Sequence, residues 1–376
     1  MKRPLLFAAI SLVAVLLLAG CGGSPAAEEG ASTLQATETN GETNDLGETK
    51  DLWGSLATDD EKSTDVHKRP QRSTETTDVH KRPQRSTETA TVYFTSDISA
   101  EGLVRIYEAL GWTPSGKTAV KISNGEPPAS NYLRPELIGD LVQKLEGTIV
   151  ECNTAYGGSR ASSEMHRQVA EDHGFTAIAD FDLMDEEGEV EWPVTGGSRL
   201  DKVIVGSHAE NYEDWVILSH FKGHTMAGFG GAIKNVGIGI SSPSGKVYVH
   251  SAGTRTSGSI MCSDQDAWLE ALAEMVMGFR DHVDEEHIIY INVMNRLSVD
   301  CDCDGHPDEP DMHDIGILAS SDPVALDQAS VDLVYQAEDG EALVKRIESR
   351  NGIHTLEHAE EIGLGSRTYE MVNIDE

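Results

Sequence analysis

Strands and helices alternate along the chain from about residue 90 onward. Apolar runs at 91–94, 148–151 and 177–181 are typical of buried strands, and the segment at 100–110 has the apolar spacing of an amphipathic helix. Repeated units of this length favour parallel strands that are joined by helices. We therefore predict that residues 90–376 form one α/β domain, in which a mostly parallel sheet is flanked by helices.

The most unusual segment of this domain is residues 218–239, here called the central stretch, which continues from the apolar run 215–218. It contains two histidines, two lysines, one asparagine and six glycines. Glycines let the backbone turn tightly and approach a bound group closely, and residues 232–235 can begin a helix whose free N–H groups attract an anion. The alternative is a glycine-rich crossover that only lets two layers pack closely. We favour a binding site, because turn glycines alone do not require four nearby histidine and lysine side chains.

Two further polar loops, 121–126 and 153–160, also follow predicted strands. Ligands of open parallel sheets gather beyond the carboxyl ends of the strands, so we expect these loops and the central stretch to share one edge. His220, His224 and Lys222 are the candidate catalytic residues, because histidine can carry a proton or bind a metal near neutral pH and lysine can hold an anion. The candidate ligand-binding residues are Lys121, Glu126, Asn153, Ser159, Arg160, Gly228, Gly230, Gly231, Lys234 and Asn235.

A second cluster, residues 300–314, is dense in cysteine, histidine and aspartate. One interpretation is a site for zinc, iron or another transition metal. A second is a calcium site with nearly the spacing of an EF-hand loop, although two prolines stiffen the segment and its last acidic residue is not glutamate. A third is a solvated acidic loop, with or without an oxidised cysteine pair. The candidate ligands of the transition metal are Cys301, Cys303, His306 and His250, with His313 as a further option, and those of calcium are Asp300, Asp302, Asp304 and Asp311.

The spacing of Cys301 and Cys303 bears on these alternatives. Cysteines two positions apart in an extended strand point to opposite faces. A disulfide between them, or shared ligation of one ion, would then be strained. A single bound metal ion therefore stays one option for this loop, with its identity open.

The first 20 residues have the form of a bacterial secretion signal. Lys2 and Arg3 precede an apolar run at 5–18 that is short for a membrane-spanning helix. The small residues before Cys21 resemble a lipobox, in which the cysteine is lipidated and becomes the mature N-terminus. We predict an extracytoplasmic lipoprotein that is anchored to the bacterial cell membrane, and an uncleaved apolar anchor would place the domain on the same side.

Residues 21–89 are predicted to be a disordered tether. They are rich in serine, threonine, glutamate, glycine and aspartate and contain few large apolar residues. Residues 64–76 are repeated without change as 77–89, and each copy carries the basic sequence HKRPQR. Two such short copies are too few for a solenoid. We interpret them as a solvated spacer, and contact with an anionic wall polymer is the alternative.

The charge and the cysteines restrict the partners of this chain. The formal charge of −35, from 64 acidic against 29 basic residues, argues against nucleic acid, because phosphate binding needs clustered lysine and arginine. The five cysteines include no CxxC pair, so we expect no ferredoxin-type 4Fe–4S cluster in this chain. The expected partners are the membrane through the lipid anchor, a small-molecule or metal ligand, and an electron-transfer or cell-envelope protein.

Two long segments resemble one protein family. SHFKGHTMAGFGGAIKNVGIG and CDCDGHPDEPDMHDIGILASSDPVALDQASVDLV are similar to domain-of-unknown-function family 362, whose members are often labelled uncharacterised Fe–S centre proteins. The resemblance covers roughly residues 90–376. Many relatives carry a ferredoxin-like insert with two cysteine runs after the segment that corresponds to 239–251, whereas here only Cys262 is present. The resemblance therefore implies the α/β core and its polar loops, but neither the iron–sulfur cluster nor a reaction.

These observations lead to one functional prediction with alternatives. We predict a surface-anchored lipoprotein whose α/β domain binds a small anionic ligand, a metal ion or both, with catalysis left open. The alternatives are a lipoprotein that captures a solute or metal without chemistry, and a redox protein related to iron–sulfur proteins.

Overall fold

A computed structural model describes residues 89–261, 264–310 and 312–375. The predicted signal peptide, Cys21 and all of the tether before residue 89 lie outside these residues. The strands are β1 (Ala90–Thr95), β2 (Thr118–Lys121), β3 (Thr148–Glu151), β4 (Phe181–Leu183), β5 (Glu189–Pro193), β6 (Lys202–Gly206), β7 (Asp214–His220), β8 (Lys222–His224), β9 (Gly228–Gly230), β10 (Ile288–Met294), β11 (Gly316–Ser320) and β12 (Tyr369–Asn373). The helices are α1 (Ala100–Ala109), α2 (Pro135–Lys144), α3 (Ser163–Asp172), α4 (Ala232–Gly239), α5 (Pro243–His250), α6 (Gln265–Val283), α7 (Pro323–Gln336), α8 (Glu341–Ser349) and α9 (His354–Glu361).

The main sheet has eight strands in the order β12-β1-β11-β10-β7-β2-β3-β4. All neighbouring pairs are parallel except the two that involve β11, which is antiparallel to both β1 and β10. Two small antiparallel sheets, β5-β6 and β8-β9, lie outside it. The predicted α/β fold with a mostly parallel sheet flanked by helices is therefore confirmed.

Strand β7 shows why the sheet needs helices on both faces. It is buried along its whole length. Trp215 and Ile217 belong to one hydrophobic cluster and Val216 and Leu218 to another, because successive side chains of a strand point to opposite faces. Helices α4, α6 and α7 contribute apolar residues to the first cluster, and α1 and α2 to the second. A continuous apolar run is what a parallel strand covered on both faces requires.

The strand predicted at 177–181 is wrong in its bounds. Gly174 follows α3 with φ +86°, a left-handed conformation that favours glycine. The next residues, Phe175–Ala177, form a short 3₁₀ turn that buries the Phe175 ring. Strand β4 therefore begins only at Phe181, which pairs with Ile149 of β3.

The topology places four loops at one edge of the sheet. Strands β10, β7, β2 and β3 are neighbours and run in the same direction, so their carboxyl ends lie side by side. The connection from β10 to β11 leaves and returns at this edge, because these two strands are antiparallel neighbours. Residues 295–315 therefore lie over the same edge as the central stretch.

None of the helices in the described residues is both long enough and apolar enough to span a membrane.

Candidate functional site

A cavity of about 390 Å³ lies at this edge of the sheet. Its walls come from the loops after β2, β3 and β7, from α4 and α5, and from the 300–310 loop. The lining residues are Lys121, Ser123, Glu151, Cys152, Thr154, Tyr156, Arg160, Ser219, His220, Lys222, His224, Thr225, Met226, Gly231, Lys234, Asn235, Ile238, Gly239, Lys246, His250, Ile260, Cys301, Cys303, Asp304 and Gly305. The structure thus brings most of the predicted site residues together around one cavity.

The buried carboxylate of Asp302 joins the central stretch to the cysteine loop. Its Oδ1 lies 2.8 Å from Nδ1 of His220, and its Oδ2 lies 2.9 Å from Nζ of Lys222. Burial acts to raise the pKa of Asp302, but His220 and Lys222 outweigh it and lower the pKa to about 2. Asp302 is therefore charged at neutral pH, although its side chain is only 1% exposed.

This ion pair uses the side chains of two candidate catalytic residues. Nε2 of His220 lies 2.6 Å from the carbonyl oxygen of Asn295, so both ring nitrogens have partners. Lys222 also donates to the carbonyl oxygen of His220 at 2.9 Å. Burial acts to lower the pKa of Lys222, but the attraction of Asp302 prevails and the pKa is raised. Both partners of His220 are hydrogen-bond acceptors, so neither ring nitrogen is free to bind a metal, and the geometry gives both residues a structural role.

The aspartates of the 300–314 cluster do not converge on a cation. Asp302 is held by His220 and Lys222, whereas Asp300 lies 3.4 Å from Nη1 of Arg346. Asp304 accepts from the backbone N–H of His306 at 2.9 Å. The arrangement expected for calcium is therefore not formed by the aspartates that the structure describes, and Asp311 lies outside them. His306 and His313 are exposed and lie outside the cavity lining.

The two cysteines of this loop lie on the same side of a turn. The backbone N–H of Asp304 donates to the carbonyl oxygen of Cys301 at 2.8 Å, and the N–H of Cys303 donates to Sγ of Cys301 at 3.3 Å. The expectation of opposite faces is wrong here because the segment is a turn and not an extended strand. One ring nitrogen of His224 and the two sulfur atoms all lie within 4.8 Å of one another. Among the described residues this is the one group of three side chains close enough to hold a metal ion.

The surroundings of Cys301 favour its thiolate. A hydrogen bond from the Cys303 thiol lowers the pKa of Cys301 most strongly, burial opposes it, and Lys234 and His224 lower it further. The pKa of Cys303 is raised by the same hydrogen bond and by burial. Cys301 is therefore the more readily ionised thiol of the pair.

The hydrogen bonds of His224 fix which ring nitrogen carries the hydrogen. Nδ1 accepts from the backbone N–H groups of Met226 at 3.2 Å and Ala227 at 2.9 Å. Burial lowers the pKa of His224, so the ring is neutral and its hydrogen is on Nε2. In this form Nε2 can donate to a sulfur, whereas a metal would need its lone pair.

The opposite wall of the cavity is cationic. Lys121 pairs with Glu151 at 2.9 Å, and Arg160 lies 3.9 Å from the same carboxylate. Lys246 donates to the carbonyl oxygen of Ser241 at 2.6 Å and has no described carboxylate within 4.0 Å. Lys234 is half-buried and forms no hydrogen bond or ion pair with any residue of the described ranges. Two of the five cationic side chains that line the cavity thus lack a carboxylate partner among the described residues.

Residues 118–332 match the family described as Domain of unknown function (DUF362), which is more than half of the chain. The chain belongs to the DUF362 family. The resemblance seen in the sequence is thereby confirmed, and no curated protein matches the chain.

Solved structures resemble this DUF362 chain only distantly. The lactate racemase apoprotein from Thermoanaerobacterium thermosaccharolyticum is 13% identical with a TM-score of 0.41, and the match covers 65% of this chain and 57% of that one. A protein from Thermotoga maritima is also 13% identical with a TM-score of 0.36, and the match covers 70% of this chain and 58% of that one. The chain thus spans less than two thirds of the length of either structure.

The N-terminus of α4, within the longest DUF362 motif, is already capped by the protein. The N–H groups of Ala232 and Ile233 donate to Oδ1 and Oδ2 of Asp327, at 2.8 and 3.0 Å. A Cβ atom at Gly231 would lie 2.3 Å from Oδ1 of Asp327, so this glycine admits the carboxylate. The prediction that these N–H groups are free for an anionic ligand is therefore wrong.

The other predicted ligand-binding glycines differ in their surroundings. Gly228 has φ +84°, and a Cβ atom there would lie 3.0 Å from the backbone of Ile347 in α8. Gly230 lies beside the side chains of Lys222 and Lys234, since a Cβ atom there would be 3.7 Å from Nζ of Lys222. Neither residue lines the cavity. Gly228 thus serves close packing, as the alternative interpretation proposed, whereas Gly231 lines the cavity.

The remaining predicted residues form the outer support of the cavity. Glu126 binds Nε of Arg160 at 3.0 Å and the backbone N–H of Ser159, and Asn153 binds the hydroxyl of Ser163 at 3.0 Å. Asn235 is different, since it lines the cavity and accepts from Nζ of Lys121 at 3.1 Å. Glu126, Ser159 and Asn153 therefore act through Arg160 and α3 and do not themselves line the cavity.

His250 lines the cavity but stands apart from the sulfur atoms. Its ring stacks on Trp268 with 5.0 Å between centroids. Burial lowers its pKa to about 3, and its Nδ1 has no hydrogen-bond partner in the described chain. His250 is thus a neutral ring in the cavity wall, outside the group formed by His224 and the two cysteines.

Several cavity residues were not predicted from the sequence. Lys246 lies on α5, for which no helix was predicted. The signal was present, because Ser242 followed by Pro243 is a typical helix start and Ser242 does cap α5 by accepting from the N–H of Gly245. Cys152, Thr154, Tyr156 and Ser219 also line the cavity.

We expect the Asp302→Asn substitution to lower the free energy of unfolding by about 3 kcal/mol, because it leaves the buried Lys222 without its countercharge. Urea-induced unfolding followed by circular dichroism measures this loss. The control is Asp304→Asn, two residues further on at an exposed position, which should change stability by no more than about 0.5 kcal/mol. Equal losses in the two variants would show that the pairing of Asp302 does not stabilise the fold.

Proposed function

We propose that this DUF362 domain binds a small anionic ligand, bearing a carboxylate or phosphate group, in the cationic cavity. The observation that carries the proposal is that five lysine and arginine side chains line the cavity of a chain whose formal charge is −35. Lys234 and Lys246 lack a carboxylate partner there. An anionic group that binds between them would supply the missing charge in a site shielded from water.

The cavity also limits the size and character of the ligand. A volume of about 390 Å³ is in the lower part of the range typical of small-molecule sites. Met226, Ile238 and Ile260 provide an apolar part of the wall. The proposed ligand is therefore small, carries at least one anionic group and has a short apolar portion. Capture without chemistry is the alternative to catalysis, and the Cys301 thiolate beside the cavity favours catalysis.

The Lys234→Met variant should bind inorganic phosphate at least about tenfold more weakly, because a charged hydrogen bond contributes about 1.5–3 kcal/mol. Isothermal titration calorimetry with phosphate measures the dissociation constant. Lys144→Met removes an equally long lysine from the exposed face of α2 and should bind phosphate like the unaltered protein. If both variants bind phosphate equally well, Lys234 does not hold the anion.

A second candidate function is the binding of one soft metal ion by Cys301 and Cys303. The convergence of these sulfur atoms with a ring nitrogen of His224 favours it. The hydrogen on Nε2 disfavours His224 as a ligand, so the ion would depend chiefly on the two sulfurs.

If this second candidate is correct, the purified full-length protein contains about one equivalent of metal and the Cys301→Ser/Cys303→Ser variant contains none. Elemental analysis by mass spectrometry measures the content. The His306→Ala variant, altered at an exposed residue of the same loop, should keep the metal. Protein without stoichiometric metal excludes this candidate, whereas iron with a visible absorption band would support the redox alternative.

The location of the domain is a further part of the proposal. The signal sequence and the lipobox-like residues before Cys21 support an extracytoplasmic domain held to the bacterial membrane by lipid and a tether. The Cys21→Ala variant should lose lipid labelling and leave the washed membrane fraction, as detected by immunoblotting. Retention of the lipid label in this variant would contradict the assignment of Cys21.

A further inference from the structure

The two cysteines of the turn and their neighbours have the geometry of a thiol exchange site. The Cys301 sulfur receives the N–H of Cys303 at 3.3 Å and lies within 4.8 Å of the Cys303 sulfur. A disulfide that closes a ring over one intervening residue is strained, and strained disulfides are readily reduced again. Such a pair suits reversible chemistry better than structural stabilisation.

The state of His224 favours sulfur chemistry at this position. Its Nδ1 is held by the N–H groups of Met226 and Ala227, so its hydrogen is on Nε2. A donor of this kind beside a sulfur supports negative charge on that sulfur, as does the unpaired ammonium group of Lys234 in the same cavity.

Access to the pair is restricted by size. Cys301 is 4% exposed and Cys303 is half-buried, and both reach solvent through the cavity. A small molecule can therefore reach the Cys301 sulfur, whereas the surface of a folded protein cannot enter a space of about 390 Å³.

We propose that Cys301 and Cys303 form a redox pair that exchanges with low-molecular-weight disulfides bearing carboxylate groups. This inference rests on the proposed anion-binding function, because Lys234 and Lys246 would hold the carboxylates of the incoming disulfide. It identifies the anionic ligand as a small disulfide, and this disulfide is the reaction partner of the Cys301 sulfur.

The exchange proceeds in two steps. The Cys301 sulfur attacks one sulfur of the small disulfide, the S–S bond of that molecule breaks, and one thiolate leaves. The Cys303 sulfur then attacks the Cys301 sulfur of the mixed disulfide and expels the second thiol. The proton of Cys303 passes to a departing thiolate. The protein pair is oxidised by two electrons, and the small disulfide is reduced to one thiol and one thiolate, which takes its proton from solvent.

The test uses reduced full-length protein and two small disulfides of similar size, 3,3′-dithiodipropionate with its two carboxylates and the uncharged bis(2-hydroxyethyl) disulfide. After quenching with an alkylating reagent, peptide mass spectrometry should find a Cys301–Cys303 disulfide. The Cys303→Ser variant should accumulate a mixed disulfide at Cys301, and the Cys301→Ser variant should form no adduct at Cys303. Dithiodipropionate should react on the order of tenfold faster than the uncharged disulfide, and Lys234→Met should remove this preference while Lys144→Met retains it.

Several results would overturn the inference. They are an unreactive pair in the unaltered protein, equal adduct formation at Cys303 in the Cys301→Ser variant, no preference for the charged disulfide, or a stoichiometric metal ion that occupies both sulfurs. Phosphate titration of the Cys301→Ser variant separates the two proposals and also shows that this variant folds. If phosphate binds but exchange is absent, only the redox inference fails. If phosphate does not bind to the unaltered protein, the anion-binding function fails independently of the exchange result.

Discussion

The ion pair of Asp302 with His220 and Lys222 holds together the two segments from which the cavity is built. The central stretch approaches from the end of β7 and the cysteine loop from the connection between β10 and β11, and the buried carboxylate joins them beside the hydrogen bond from the N–H of Gly223 to the carbonyl oxygen of Ser298. Removing one partner of such a pair destabilises the fold far more than replacing both partners with apolar residues, since it leaves an uncompensated buried charge. The positions of His224, Cys301 and Cys303 around the cavity all depend on this contact.

The sequence allowed a good prediction of the fold and of the region of the site, because both follow from local patterns. Apolar runs such as 215–218 predict buried strands, and parallel strands bring the loops at their carboxyl ends together. The individual roles could not be predicted in this way. The N–H groups of Ala232 and Ile233 are bound by Asp327, which lies about 95 residues away in the sequence. The turn at Cys301 likewise required the Asp304 hydrogen bond, which sequence spacing does not reveal.

The cavity of this protein is lined by cationic side chains, although the chain as a whole is strongly acidic. A chain with 64 acidic residues would repel small anions at a distance, especially at low ionic strength. The cationic side chains are placed where solvent screening is weakest, and most of them are held by carboxylates such as Glu151, Glu126 and Asp302. The two lysines without such partners, Lys234 and Lys246, give the cavity its remaining positive charge.

In the turn from Cys301 to Asp304, the residue between the two cysteines carries the anchoring carboxylate. The same short segment must therefore satisfy two sets of distances at once, from Asp302 to the central stretch and from each sulfur to the cavity. Inserting or deleting one residue between the cysteines would rotate either the carboxylate or one sulfur away from its partners. The spacing of Cys301, Asp302 and Cys303 is thus fixed, and the length of the loop can vary only outside these three residues.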